Sequence, residues 1–161
     1  MVDAGQIHLI DELRQIGIEA VTSGLVVASG GNLSARMPGA TDFVITNSGT
    51  WLNRLSPTDF TVMDTEGDIV ETTHKPSSEW KLHQRIYRDH PEVNCVIHLH
   101  PQQSVLLDAL GIPIRFFTLD DALYVKSIGH VDYYPNGSDE LADFASAQVA
   151  EHNCVVLAHH G

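Results

Sequence analysis

Val96-Ile97-His98-Leu99-His100-Pro101 is a β-type run that carries two histidines separated by one residue. Side chains alternate faces along a strand, so His98 and His100 point the same way and can grip one metal ion together. The strand reading extends from Val93 to Leu99 and is bracketed by helical patterns. Upstream, Ser78 to Arg88 reads as a helix with a serine N-cap and an acid in its first turn; downstream, Gln103 to Leu110 is a helix ended by Gly111. Further toward the N-terminus, Phe43-Val44-Ile45-Thr46 and Phe60-Thr61-Val62-Met63-Asp64 are short strands, with the turn Asn47-Ser48-Gly49-Thr50 between them. Before them Ser29-Gly30-Gly31-Asn32-Leu33-Ser34-Ala35-Arg36 is a glycine turn leading into a strand. Ile10, Leu13, Ile16, Ile18 and Val21 mark an amphipathic helix from Ile7 to Gly24. Toward the C-terminus, Ile112 to Phe116 is a connector, Leu141 to Glu151 a helix and Cys154 to Ala158 a buried strand. Hairpin-like pairs followed by irregular alternation predict an α/β sandwich with a largely antiparallel or mixed sheet.

The chain has 161 residues, 43% of them hydrophobic, which is enough for one domain with a real core and too little for two. Nine Lys and Arg stand against 21 Asp and Glu, giving a formal charge of -12. That balance repels phosphate backbones and anionic lipid surfaces, so neither nucleic acid nor membrane is an expected partner. Cys95 and Cys154 sit in apolar runs and are expected as small buried core residues, without a disulfide framework. The sequence shows no leader pattern and no apolar run near the roughly 18 residues that span a bilayer. A cytoplasmic location is the resulting expectation.

Two further segments bear on chemistry. Lys75-Pro76-Ser77-Ser78-Glu79 offers a carboxylate beside two hydroxyls, and Val155-Val156-Leu157-Ala158-His159-His160-Gly161 offers a third imidazole at the end of a strand. His159 is expected to point elsewhere, as a supporting or packing residue. Each piece has an ordinary reading: an acid at a helix start is favoured by the dipole alone, and serines there serve as caps. Hydroxyls at a helix N-terminus also suit a phosphate, as do the backbone N–H groups of the Gly30-Gly31-Asn32 and Asn47-Ser48-Gly49 turns. His8, His74, His90, His130 and His152 have no ligand spacing and are read as ordinary residues.

Together these segments resemble the class II aldolase/adducin family. The resemblance is carried by the ordered series Ser29-Gly30-Gly31-Asn32-Leu33-Ser34, Ile45-Thr46-Asn47-Ser48-Gly49, Lys75-Pro76-Ser77-Ser78-Glu79 with His83 following, His98-Leu99-His100 and His159-His160-Gly161. It covers nearly the whole chain. It implies a three-layer α/β/α sandwich around a mixed, largely antiparallel sheet, with residues 1–161 as a single domain. It further implies a homotetramer with active sites between neighbouring subunits. By the same resemblance His98, His100 and His160 bind a metal, Glu79 is the catalytic acid/base and also touches the metal, and Gly31, Asn32, Ser48, Gly49, Ser77 and Ser78 hold the substrate phosphate. The implied activity is that of a metal-dependent aldehyde-lyase cleaving a ketose phosphate to dihydroxyacetone phosphate and an aldehyde through a metal-stabilised enediolate. Zn²⁺ suits three histidines, with Mn²⁺ or Co²⁺ as alternatives.

Two departures from the family pattern stand out. Members usually continue some tens of residues beyond the His-His-Gly element, so the domain is expected to lack its C-terminal segment. The aldolases also lend a catalytic tyrosine across the subunit interface soon after an Ile-Pro element, whereas Ile112-Pro113 leads here to Phe116 and Phe117. Epimerases of the family usually carry Asp where Glu79 stands, which favours the aldolase; dehydratase and decarboxylase relatives stay open. The rival from another class is a non-catalytic adducin-like interaction module. Retention of all three histidines and of Glu79 argues against it.

Overall fold

The computed structural model describes residues 3–71 and 74–161. Helix α1 (Ala4–Thr22) starts ahead of its apolar periodicity because Asp3 and Gln6 form a capping box. The Asp3 carboxylate accepts the Gln6 N–H at 2.8 Å and the Gln6 side chain accepts the Asp3 N–H at 3.0 Å. The helix buries Ile10, Leu13, Gly17 and Ala20. Ile18, expected among the apolar positions, falls outside the stripe those residues trace and is 43% exposed.

Five strands follow in an all-antiparallel sheet: β1 (Asn32–Ala35), β2 (Asp42–Thr46), β3 (Phe60–Asp64), β4 (Ile69–Glu71) and β5 (Cys95–His98), in the spatial order β4-β3-β2-β1-β5. Strand β4 has no counterpart in the sequence reading, being only three residues long and mostly exposed. The strands alternate as the pleat requires. Leu33, Ala35, Val44, Phe60 and Val62 pack with Ile10 and Leu13 on one face. Phe43, Ile45 and Met63 pack on the other with Tyr87 of helix α2 (Trp80–Asp89).

Helix α2 in turn contacts α4 (Asp139–Val149), so the layers run α1, sheet, α2 with α4, as the expected sandwich requires. Between β5 and α4 lie helix α3 (Gln102–Ala109), a π-helical turn at Asp121–Val125 and strand β6 (Ile128–Val131). Strand β6 pairs in parallel with β7 (Cys154–Leu157). The single mixed sheet expected from the sequence is therefore two sheets among the described residues, five strands antiparallel and two parallel. Leu82, Ile86, Val131, Leu141, Ala145 and Leu157 knit the parallel pair to α2 and α4.

Cys95 and Cys154 are exposed, not buried in the core. Each begins an edge strand: β5 closes the five-stranded sheet and β7 belongs to the pair, and a cleft of about 340 Å³ lined from both strands lies between them. Among the described residues no helix is long and apolar enough to cross a membrane.

Candidate metal and phosphate site

Strand β5 stops at His98, and His100 lies in the loop before α3 rather than on the strand. The two rings nonetheless turn the same way, with their Nε2 atoms 2.9 Å apart. His160 arrives from the turn that ends β7. There the Leu157 carbonyl accepts the His160 and Gly161 N–H groups, and His159 adopts φ +57°. A Cβ on Gly161 would lie 2.4 Å from the Leu99 carbonyl oxygen, so only glycine lets this turn rest against the end of β5. The three imidazoles form a near-equilateral triangle with centroids 4.9, 4.9 and 5.0 Å apart.

Glu79 completes the cluster. The expected serine N-cap of α2 is not observed: Glu79 occupies that position, with no cap bond from its side chain. The Ser77 hydroxyl instead accepts the Glu79 N–H at 3.2 Å, and the Glu79 carboxylate turns toward the histidines. Its Oε2 is 3.1 Å from His98 Nε2 and its Oε1 is 3.1 Å from His160 Nε2. Ligand atoms of Glu79, His98, His100 and His160 all lie within 4.8 Å of one another.

Burial raises the Glu79 pKa, but His160 and His98 outweigh it and hold the carboxyl well below the usual range. Burial, reinforced by His98 and His160, pushes His100 down to about 4, which leaves a neutral imidazole suited to a metal. Buried Glu79 Oε1 makes no hydrogen bond of good geometry among the described residues, although His160 Nε2 lies 3.1 Å away, so it can still take another partner. One carboxylate and three imidazole nitrogens converging on a point fit a divalent transition metal.

The second half of the site adjoins the first. Antiparallel pairing sets Asn32 of β1 opposite His98. Gly31 before it has φ +76°, and a Cβ there would sit 2.7 Å from the His98 carbonyl oxygen. The Asn47–Ser48 turn pairs with Lys75–Pro76: the Ser48 N–H donates to the Lys75 carbonyl and the Ser77 N–H to that of Thr46, each at 3.0 Å. That pairing brings the Ser48-Gly49 and Ser77-Ser78 segments together. It also engages the Ser48 and Ser77 amides, so these two serines offer hydroxyls rather than backbone donors. Gly31, Asn32, Ser48, Gly49, Ser77 and Ser78 all line one cleft of about 120 Å³ that Glu79 and His100 also border. Neither Lys nor Arg lines it, so an anion would be met by neutral donors.

His83, quoted in the sequence motif without a role, is fully buried beneath Glu79. Its Nε2 lies 2.5 Å from Asn32 Oδ1 and its Nδ1 2.6 Å from Ser34 Oγ. Asn32 Nδ2 donates to Glu79 Oε2 at 2.8 Å. Burial, with a smaller effect of His98, pushes the His83 pKa down to about 3, so the ring is neutral.

Other contacts lay beyond sequence reasoning. Ser29, Thr50 and Asn136 also line the cleft. The Asn136-Gly137 dipeptide is a turn signal, but nothing in its spacing ties it to Ser78. His159 is exposed; its backbone N–H donates to Asp108 Oδ2 at 2.7 Å and its Nδ1 lies 3.8 Å from the same oxygen. His130, read as ordinary, is bonded through Nε2 to the other Asp108 oxygen at 2.9 Å.

Known proteins resemble this chain over most of its length. The L-fuculose phosphate aldolase of Methanococcus maripaludis (strain C5) is 35% identical over 136 residues, 84% of this chain and 72% of that protein. The 5-methylthioribulose-1-phosphate/5-deoxyribulose-1-phosphate aldolase of Rhodospirillum rubrum is 36% identical over 154 residues, 95% of this chain and 66% of that protein. Among solved structures, L-fuculose-1-phosphate aldolase from Thermus thermophilus superposes with a TM-score of 0.84 at 30% identity, over 95% of this chain and 76% of that one. The profile described as Class II Aldolase and Adducin N-terminal domain matches residues 11–161. A match of that extent, beside such relatives, makes this chain a member of the class II aldolase/adducin family.

Proposed function

We propose that the chain is a metal-dependent aldehyde-lyase that cleaves a ketose phosphate to dihydroxyacetone phosphate and an aldehyde. The observation that carries this reading is the shared border of the two half-sites: Glu79 and His100 belong both to the four-ligand cluster and to the neutral-donor cleft. A substrate phosphate held by Gly31, Asn32, Ser48, Gly49, Ser77 and Ser78 would thus place its carbon chain against Glu79. A divalent ion held by His98, His100, His160 and Glu79, with Zn²⁺ favoured over Mn²⁺ or Co²⁺, supplies Lewis acidity toward carbonyl and hydroxyl oxygens.

The protein's own part is proton transfer and exclusion of water. Glu79 is 3% exposed and held ionised, so it can take a carbon-bound proton next to the substrate carbonyl; in the cleaving direction the hydroxyl that becomes the aldehyde gives up its proton as the C–C bond breaks, and Glu79 relays that proton to the carbon. Neutral donors hold the phosphate without adding a cation that would compete for Glu79. The expected assembly is a homotetramer.

The test is deuterium exchange from D₂O into dihydroxyacetone phosphate by metal-loaded protein, with an EDTA-treated control. Metal-dependent exchange is the expected result. Absence of exchange with one bound metal per chain overturns the aldolase reading in favour of an epimerase, dehydratase or decarboxylase. A chain that binds no stoichiometric metal would instead be an adducin-like module.

A further inference from the structure

Behind Glu79 runs a single file of buried polar groups. Tyr87 Oη lies 2.7 Å from Ser34 Oγ, which lies 2.6 Å from His83 Nδ1; His83 Nε2 lies 2.5 Å from Asn32 Oδ1, and Asn32 Nδ2 lies 2.8 Å from Glu79 Oε2. Ser34 and His83 are 0% exposed, Tyr87 1%, Glu79 3% and Asn32 5%, so no member can turn to bulk water for a partner.

The donors and acceptors of this file admit one consistent assignment. The Asn32 amide nitrogen is the atom that faces Glu79 Oε2, so Asn32 presents an N–H there. Its carbonyl oxygen then faces His83 and only accepts, which puts the ring hydrogen on Nε2. A neutral ring with its hydrogen on Nε2 leaves Nδ1 bare, so the Ser34 hydroxyl donates to it. The Ser34 oxygen in turn accepts from the Tyr87 hydroxyl. Every hydrogen bond therefore points the same way, from the core toward Glu79.

We infer that His83 is a positioning residue that fixes which way the Asn32 amide faces, directing its N–H groups toward Glu79 and the phosphate cleft. Asn32 lines that cleft as well as touching Glu79, and an amide group carries two hydrogens. Reversed, it would set a carbonyl oxygen against the carboxylate and against any bound phosphate. Ser34 and Tyr87 hold His83 in the required tautomer. The inference rests on the reading of Glu79 and the cleft as the reacting centre, but its test does not use the reaction.

The full chain is labelled with ¹⁵N in its histidine rings and observed at pH 7 without metal. The expected spectrum gives His83 solely as the Nε2–H tautomer in the folded protein; an Nδ1–H tautomer overturns the inference. Zn²⁺ affinity is then measured by chelator competition. His83→Gln, which can still donate to Asn32 Oδ1, should stay within ~3-fold of the parent, and His83→Leu should weaken binding ~10-fold. Equal affinities for the two variants would reduce His83 to packing. Should His83→Leu not fold, Ser34→Ala carries the test: loss of the hydroxyl donor should mix the two His83 tautomers, and an unchanged tautomer overturns the role given to Ser34. Correct tautomer and affinities without deuterium exchange would refute the aldolase while leaving the positioning role intact.

Discussion

Glu79 sits where two demands on a carboxylate meet. It must stay charged in a nearly closed site, and it must keep an oxygen uncommitted. The histidines satisfy the first, and Oε1, which makes no hydrogen bond of good geometry although His160 Nε2 lies 3.1 Å away, satisfies the second. Glu79→Gln preserves shape and an oxygen donor but removes the base. It should retain stoichiometric Zn²⁺ by chelator competition while deuterium exchange falls at least ~10²-fold. His98→Ala should lose both metal and exchange, since His98 is in contact with Glu79, His100 and His160. A Glu79→Gln protein that exchanges at the parent rate would refute the assigned base. Gly31 is constrained differently. Its φ of +76° and the His98 carbonyl oxygen 2.7 Å from an added Cβ mean that Gly31→Ala combines backbone strain with a clash. A loss of about 1–3 kcal/mol in urea unfolding is expected, the range for a strained backbone position.

At the scale of elements, the site depends on three strand ends and a helix start being brought to one place, and one clamp holds the last of them. Asp108 of α3 joins β6 through His130 and the β7 turn through the His159 N–H, beside a left-handed backbone that a non-glycine residue adopts at a cost. Asp108→Ala should therefore loosen His160 and weaken Zn²⁺ binding ~10-fold, a range typical of groups that orient metal ligands. Asp108→Asn, which keeps an acceptor for the His159 N–H, should recover most of it; equal losses in the two variants would show that charge rather than the clamp matters. This contact also marks where the sequence stops being readable. His98, His100, His160, Glu79 and the serine and glycine turns were legible because each motif carries its chemistry within a few residues. Strands β2 and β3 were legible because they are unbroken β-branched and aromatic runs. Strand β4 is too short to show a period, and β6 is interrupted by Gly129 and His130. The Asp108, His130 and Asn136 contacts join segments far apart in the chain, and the direction of the His83 file follows only from distances. The two cysteines misled because an apolar strand is buried only where something covers it, and both begin edge strands.

For the whole molecule, the question is how a chain of formal charge -12 presents the large apolar surface that follows α3. Phe117 is 86% exposed, Leu119 80%, Tyr124 69% and Leu123 55%, clustered within a few residues of one another. Leu106 and Leu110, on and just after α3, extend the same apolar character toward His100 and His160, with which Leu106 shares an open cleft. Fully burying one such side chain contributes about 1.5–3 kcal/mol, so covering several by a neighbouring copy outweighs the repulsion between like-charged chains once salt screens it. The proposed homotetramer would cover this surface and would set an interface near His100 and His160. Light scattering after size exclusion in moderate salt should give the mass of four chains, and Phe117→Asp with Leu119→Asp should give smaller species. All four proposed metal ligands come from one chain, so the dissociated double variant should still bind one Zn²⁺ per chain. Its deuterium exchange should nonetheless fall, because the site's outer wall would then belong to a neighbour. A monomeric parent with full exchange would show the active unit to be the single chain, and the exposed segment would need another explanation.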